Sequence, residues 1–355
     1  MTPGQLKGTL LEYLIRQLLQ NCGFTSVRPD GHYIYEQNGT GLFYINGKGA
    51  AHDADVLMEP PIQLPFSYPS RILFECKAYQ TTIGLNVVRN ALGLRYDINE
   101  FEIVTDQSIQ QRKNNRRANY AISDRKRFNY QVGVATVEEY SSSAFEFAAN
   151  NKIPLFSLRW FLPAKVCNLF HSIDLRYLNS LPLRLREELY AFLKSKDRNA
   201  IYQFEGINTF IERDAIIGEI IRRFRNVIDR TFIGLIETGD LIFLFSDNEN
   251  SFNFLYNQRR FEGLRAQIHY YRQEPNVWLL ELFDGDRNSE FRFIVPYRIM
   301  RMWREYSLDK NVAIDLKQRF FSRIFIFTRQ QQDERRLPFV VVNIDQEWLD
   351  NIREN

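Results

Sequence analysis

The chain has 355 residues, 45% of them apolar and 25% charged, with 46 basic against 43 acidic side chains. That composition supports a packed core and excludes a wholly disordered or fibrous protein, and the length suggests about two domains. A net charge of +3 is too small to argue for nucleic acid by itself. No uncharged apolar run approaches the roughly 18 residues of a spanning helix. The first apolar stretch lacks a signal peptide's basic start and small-residue cleavage site, so a soluble cytoplasmic protein with no membrane association is expected. Cys22, Cys76 and Cys167 lie far apart, and the four histidines show no HExxH or HxH spacing. Neither a disulfide framework nor a zinc site is expected.

Thr2, Pro3 and Gln5 form a capping-box pattern with proline at the first helical position. Leu11, Leu14, Ile15, Leu18, Leu19 and Cys22 then share one helix face, and Gly23 supplies the stop. Glu12 sits at the edge of that face, where its carboxylate can point partly inward. Strands are predicted at 33–36, 42–45, 55–58 and 71–77, the last two separated by a proline-rich stretch. A helix over 83–94 and a strand at 101–105 follow. After a polar segment come a strand at 130–137, a Ser141-capped helix to 149 and a strand at 153–158. This alternation predicts an α/β domain over 1–160, a mixed sheet flanked by helices. After Trp160 helices are predicted at 181–193 and 213–227. β-rich runs dominate from 232, with turns at Thr238-Gly239-Asp240, Glu274-Pro275-Asn276 and Asp284-Gly285-Asp286 and final strands at 321–328 and 339–344. A second, α+β domain is expected over 165–355.

The segment Arg71-Ile72-Leu73-Phe74-Glu75-Cys76-Lys77 carries the chemistry. Alternate side chains of a strand share a face, so Glu75 and Lys77 emerge together. Upstream, His52-Asp53-Ala54-Asp55 opens another strand. Two adjacent antiparallel strands would let the Asp55 and Glu75 carboxylates meet at one sheet edge. Two carboxylates and a lysine suit metal-assisted phosphodiester hydrolysis. Mg²⁺ prefers oxygen ligands and keeps several waters, with the Cys76 backbone carbonyl as a third donor. Lys77 would orient or help deprotonate water and offset transition-state charge. Glu12 has two readings, a possible further metal ligand or an i,i+4 partner of Arg16. His52 reads better as a strand-start hydrogen bonder than as a catalytic group. Cys76 reads as a small core hydrophobe. Gly47-Lys48-Gly49 only superficially resembles a phosphate loop, since Gly49 stands where a Ser or Thr would hold Mg²⁺.

The pattern Asp55…Glu75-x-Lys77 resembles the PD-(D/E)XK nuclease motif. The wider context is similar to the Mrr-like restriction-endonuclease branch. Its elements here are the helix glutamate Glu12, the glycines Gly47 and Gly49, His52-x-x-Asp55, the Gly133-Val134-Ala135-Thr136 strand and the Ile153-Pro154-Leu155 closure. The resemblance covers about residues 4–160. It implies a restriction-endonuclease-like core with Asp55, Glu75 and Lys77 catalytic and Mg²⁺ as cofactor, for which Mn²⁺ can substitute. It further implies cleavage of DNA in prokaryotic defence against foreign DNA; a repair or junction-resolving nuclease and a silent DNA-binding module are the alternatives. Ala54, not proline, precedes Asp55, and Asp55 fits His-x-x-Asp better than Asp53 does. The cluster Arg112, Lys113, Arg116, Arg117, Arg125, Lys126 and Arg127 reads either as a solvated loop or as a contact to the DNA backbone. A cytoplasmic nuclease must be restrained, so residues 165–355 are expected to recognise the target, bind an activating ligand or protein, or mediate self-association.

Overall fold

A computed structural model describes residues 1–29, 35–37, 43–63, 67–99, 128–197, 204–246, 249–258, 263–271, 274–284, 287–328 and 339–354. Helix α1 (Pro3–Asn21) starts at Thr2, whose hydroxyl accepts the Gln5 N–H at 3.2 Å while the Gln5 side chain accepts the Thr2 N–H at 2.7 Å. The reciprocal pair satisfies amides that a helix start leaves open. Gly23 ends the helix at φ 91°, a left-handed turn that lets the Phe24 N–H donate to the Leu19 carbonyl. The predicted apolar face is buried, and so is most of the remaining circumference.

Strand β1 (Thr25–Ser26) precedes an antiparallel meander of β2 (Tyr35–Gln37), β3 (Phe43–Asn46) and β4 (Ala51–Asp53). Then come β5 (Val56–Glu59), β6 (Ser70–Lys77), α2 (Leu85–Asn99), β7 (Asn129–Thr136), α3 (Ser142–Asn151) and β8 (Leu155–Ser157). The main sheet runs β1-β5-β6-β7-β8. It is antiparallel from β1 to β6 and parallel from β6 to β8. Alternation along its strands feeds two cores. Val56, Ile72, Phe74 and Cys76 pack with α1, while Leu57, Leu73, Val132 and Val134 pack with α2 and α3. The glycines before β4 have a structural use. Asp97 of α2 accepts from the Gly49 N–H at 2.7 Å and contacts His52 Nε2 at 2.7 Å. A Cβ on Gly47 would collide with that carboxylate.

The next stretch is helical: α4 (Ala164–Cys167), α5 (Leu175–Ser180), α6 (Leu183–Lys194), α7 (Glu205–Arg213) and α8 (Ile217–Ile228). The helix predicted over 213–227 begins instead at Ile217. The Asp214 carboxylate accepts the Ile216 and Ile217 N–H groups at 3.1 and 2.9 Å, capping α8 and separating it from α7. Residues of α6 and α8 share one apolar core with α1 and β6, so that core continues across residue 160.

Seven strands then close a barrel: β9 (Thr231–Ile236), β10 (Leu241–Ser246), β11 (Leu264–Tyr270), β12 (Val277–Asp284), β13 (Arg287–Ile294), β14 (Arg323–Phe327) and β15 (Phe339–Ile344). β11 and β15 pair in parallel and the other neighbours antiparallel. Sequence reading anticipated a β-rich stretch from 232 and the last two strands, but not the helices α9 (Glu249–Tyr256), α10 (Tyr297–Glu305), α11 (Lys310–Phe321) or α12 (Gln346–Glu354). In α10 the signal was present, because Ile299, Met300 and Trp303 share the buried face at helical spacing. The fold is therefore mixed α/β in the first half, with a β-barrel in the second. Among the described residues no helix is long and apolar enough to cross a membrane.

Gly133 of β7 passes so close to its neighbours that a Cβ would lie 2.7 Å from the Phe74 ring and 2.8 Å from the Pro154 carbonyl oxygen. Gly133→Ala is expected to cost roughly 1–3 kcal/mol by overpacking. Urea denaturation measures this; an unchanged midpoint would show that Phe74 can yield.

Candidate active site

The β5–β6 register pairs Val56 with Phe74 and Leu57 with Leu73. One step further it brings Asp55 opposite Glu75, just beyond the last strand pair. Asp55 Oδ2 accepts the Cys76 N–H at 2.8 Å. Within a strand, N–H and C=O of one residue point to the same edge, so the Cys76 carbonyl faces the Asp55 side as well. Lys77 Nζ lies 3.1 Å from Glu75 Oε2. Asp53 belongs to a different sheet, paired with Tyr44 in the β3–β4 hairpin, and is exposed. Cys22, Cys76 and Cys167 are all buried free thiols, and burial pushes the Cys76 thiol up.

Glu12 joins this group from α1. Its side chain is 9% exposed and Lys194 Nζ, at the end of α6, lies 2.8 Å from Glu12 Oε2. The i,i+4 pair with Arg16 that helix spacing allows does not form. The Arg16 guanidinium donates instead to the Leu193 and Ser195 carbonyls at 3.0 and 2.8 Å. Lys196 Nζ donates to the Val27 carbonyl at 3.0 Å and to the Tyr35 hydroxyl, and lies 3.6 Å from the centre of the Phe43 ring. A pocket of about 200 Å³ opens between these groups, lined by Glu12, Arg16, Asp55, Tyr190, Lys194 and Lys196, with Asp53 also at its wall beside smaller residues of α1 and the β3–β5 segment. Sequence reading did not single out Lys194, Lys196 or Tyr190. Nothing local marks them, since they reach the pocket only through the packing of α6 on α1.

The electrostatics follow from this crowding. Burial pushes the Asp55 carboxyl up to about 7, with the Glu12 charge adding to the shift and the Cys76 N–H and Lys77 opposing it. Burial pushes the Lys196 ammonium down to about 7, helped by Arg16 and Lys194. For Lys77 burial acts downward, but the charges of Glu75 and Asp55 outweigh it and hold the ammonium above its ordinary value. His52 takes the structural role, at the Asp97 carboxylate. Among the described residues no group of three or more His, Cys, Asp and Glu is gathered closely enough to hold a metal by side chains alone. The basic cluster Arg112, Lys113, Arg116, Arg117, Arg125, Lys126 and Arg127 lies outside the described residues.

No family model matches the chain, and no curated protein matches it. A crystal structure of a protein of unknown function, AF1548, is 14% identical and covers 56% of this chain and 97% of its own, with a TM-score of 0.27. A likeness at that level carries no argument about fold or function.

Two outcomes follow from the charges. A carboxyl whose folded pKa is raised to about 7 from about 3.9 in the unfolded chain loses stability as pH rises through that window. Asp55→Asn, neutral throughout, should therefore raise the Tm of the metal-free protein more at pH 8 than at pH 5. Equal shifts at both pH values would mean that Asp55 ionises freely. Lys194→Met leaves Glu12 buried without its partner and should cost roughly 1–3 kcal/mol. Adding Glu12→Gln should recover most of that loss, which a double-mutant cycle in urea measures.

Proposed function

We propose that this chain is a metal-dependent DNA endonuclease, and that its first sheet with α1 against it is a restriction-endonuclease-like core. The observation that carries the reading is the opposition of Asp55 and Glu75 at the shared end of β5 and β6, with Lys77 ion-paired beside Glu75. The similarity of the N-terminal motifs to the Mrr-like branch supports DNA as substrate and defence against foreign DNA as purpose.

Asp55, Glu75 and the Cys76 carbonyl would hold Mg²⁺ or Mn²⁺, with Glu12 as a further donor. The donor set suits a hard cation that needs only one or two carboxylates and keeps its waters. Asp55 also meets the electrostatic condition that a divalent cation relieves, a carboxylate kept from ionising by burial and by Glu12. When bound, the cation supplies polarisation of the scissile phosphate and a lowered pKa for a water molecule. In the metal-free site the Glu75 and Asp55 charges favour the Lys77 ammonium. As an ammonium it would stabilise the negative charge that builds on the phosphate oxygens as the nucleophile adds. Lys194 holds the Glu12 carboxylate in place. Lys194 and Lys196 belong to the part of the chain beyond residue 165, and their position in the pocket wall supports a role for that part in licensing the site.

Cleavage of supercoiled plasmid with and without Mg²⁺ tests the proposal. Asp55→Asn and Glu75→Gln should each lower the rate at least about 100-fold, and Lys77→Met by a similar factor. Calorimetric Mg²⁺ binding should survive in Lys77→Met and weaken in Asp55→Asn. Asp53→Asn should cut like the unaltered protein. Metal-independent cleavage, or full activity in Asp55→Asn, would defeat the assignment.

A further inference from the structure

A second and larger cavity, about 570 Å³, lies where the first half of the chain meets the barrel. α3 and the segment after it form one side, and β10, the start of β12 and α10 form the other. Two ion pairs cross this seam: Arg301 Nη1 to Glu146 Oε1 at 2.5 Å, and Lys152 Nζ to Asp240 Oδ2 at 3.3 Å. The volume is that of a small-molecule site.

The lining chemistry narrows the occupant. Phe145 lies between Tyr297 and Trp160, with ring centres 4.9 and 6.4 Å away and planes within 11° and 18° of parallel. This ladder of near-parallel rings borders the cavity, and Phe243 lines it from the barrel. Two guanidiniums, Arg298 and Arg304, also line it. Arg298 is exposed, and Arg304 donates to Asn276 Oδ1 at 2.6 Å; neither has a carboxylate partner among the described residues. Two acids also line the cavity, and both are engaged elsewhere: Asp240 by Lys152 and the Thr238 hydroxyl, and Glu139 by a hydrogen bond with the Trp160 side chain and by the charge of Arg159. Aromatic rings on the lining favour an aromatic ring system packed edge-to-face or offset against them, and unneutralised guanidiniums favour carboxylate, sulfonate or phosphate oxygens.

We infer that the seam cavity is a binding site for an aromatic anion, its ring system packed against Trp160, Phe145 and Tyr297 and its charge on Arg298 and Arg304. The inference is independent of the nuclease reading. It has one structural link to that site: Phe74, which lines the cavity, precedes Glu75 on β6. The cavity therefore borders the strand that carries Glu75 as well as both halves of the chain.

Fluorescence titration of the full chain with anilinonaphthalene sulfonate, an aromatic anion with a planar naphthalene ring, tests this. Saturable binding at one site per chain is expected, and N-phenylnaphthylamine, its uncharged counterpart, should bind at least about tenfold more weakly. Arg298→Gln with Arg304→Gln should weaken the sulfonate about tenfold and leave the amine within about twofold. Ala149→Trp, which fills the cavity from α3, should abolish both. The arginine changes lie at the protein surface or rim and keep the fold testable if the tryptophan variant does not fold. Equal affinity for both dyes, sulfonate binding indifferent to the arginine pair, or no saturable binding would overturn the inference.

Discussion

Helix α1 is buried around almost its whole circumference, and that burial obliges its polar side chains to find partners. The sheet covers one side and α6 and α8 cover the other. Glu12 is met by Lys194, Arg16 by the carbonyls of Leu193 and Ser195, and Gln20 by the Lys196 carbonyl at 3.4 Å. A buried charge left without such partners would cost several kcal/mol. The end of α6 is thus both an apolar cover for α1 and the source of its polar satisfaction. The two halves of the chain are joined through this contact as much as through the aromatic cluster of Phe156, Phe161, Phe243 and Phe245.

The same contact shapes the charge balance at the candidate active site. Asp55, Glu12 and Glu75 gather on one side, with Lys77, Lys194, Lys196 and Arg16 close by. In a poorly solvated pocket each charge is felt strongly by the others. Asp55 rises and Lys196 falls toward the same value of about 7, so both sit where a small change in surroundings alters their protonation.

The barrel solves a different problem. Closure pairs every strand with two neighbours and leaves no open edge for another chain to join. Its interior is dominated by large rings: Trp278 stands 5.5 Å from Trp303 and 5.6 Å from Phe321. Lys317 is 3% exposed among Tyr270, Trp278 and Trp348, whose ring centres lie 5.2, 5.9 and 5.0 Å from its Nζ. Burial pushes its ammonium down to about 8, while the ring faces supply part of the solvation that water would give.

The sequence by itself determined the local features, whose causes lie within a few residues. The capping box and Gly23 delimit α1, its leucine spacing gives the buried face, and two-residue alternation puts Glu75 and Lys77 on one side of β6. It also allowed Asp55 to meet Glu75, since twenty positions leave room for two antiparallel strands and their connection, while the preference for Asp55 over Asp53 came from the His-x-x-Asp resemblance. Tertiary structure alone decided the partners of Glu12 and Arg16. The Lys194–Glu12 pair spans 182 positions, and no local pattern encodes a contact made only when two distant helices dock. Intrahelical spacing favoured Glu12 with Arg16, but burial beside α6 offered each a nearer partner. Tertiary structure likewise decided barrel closure and the seam cavity, since alternation marks a strand without saying which strand will lie beside it.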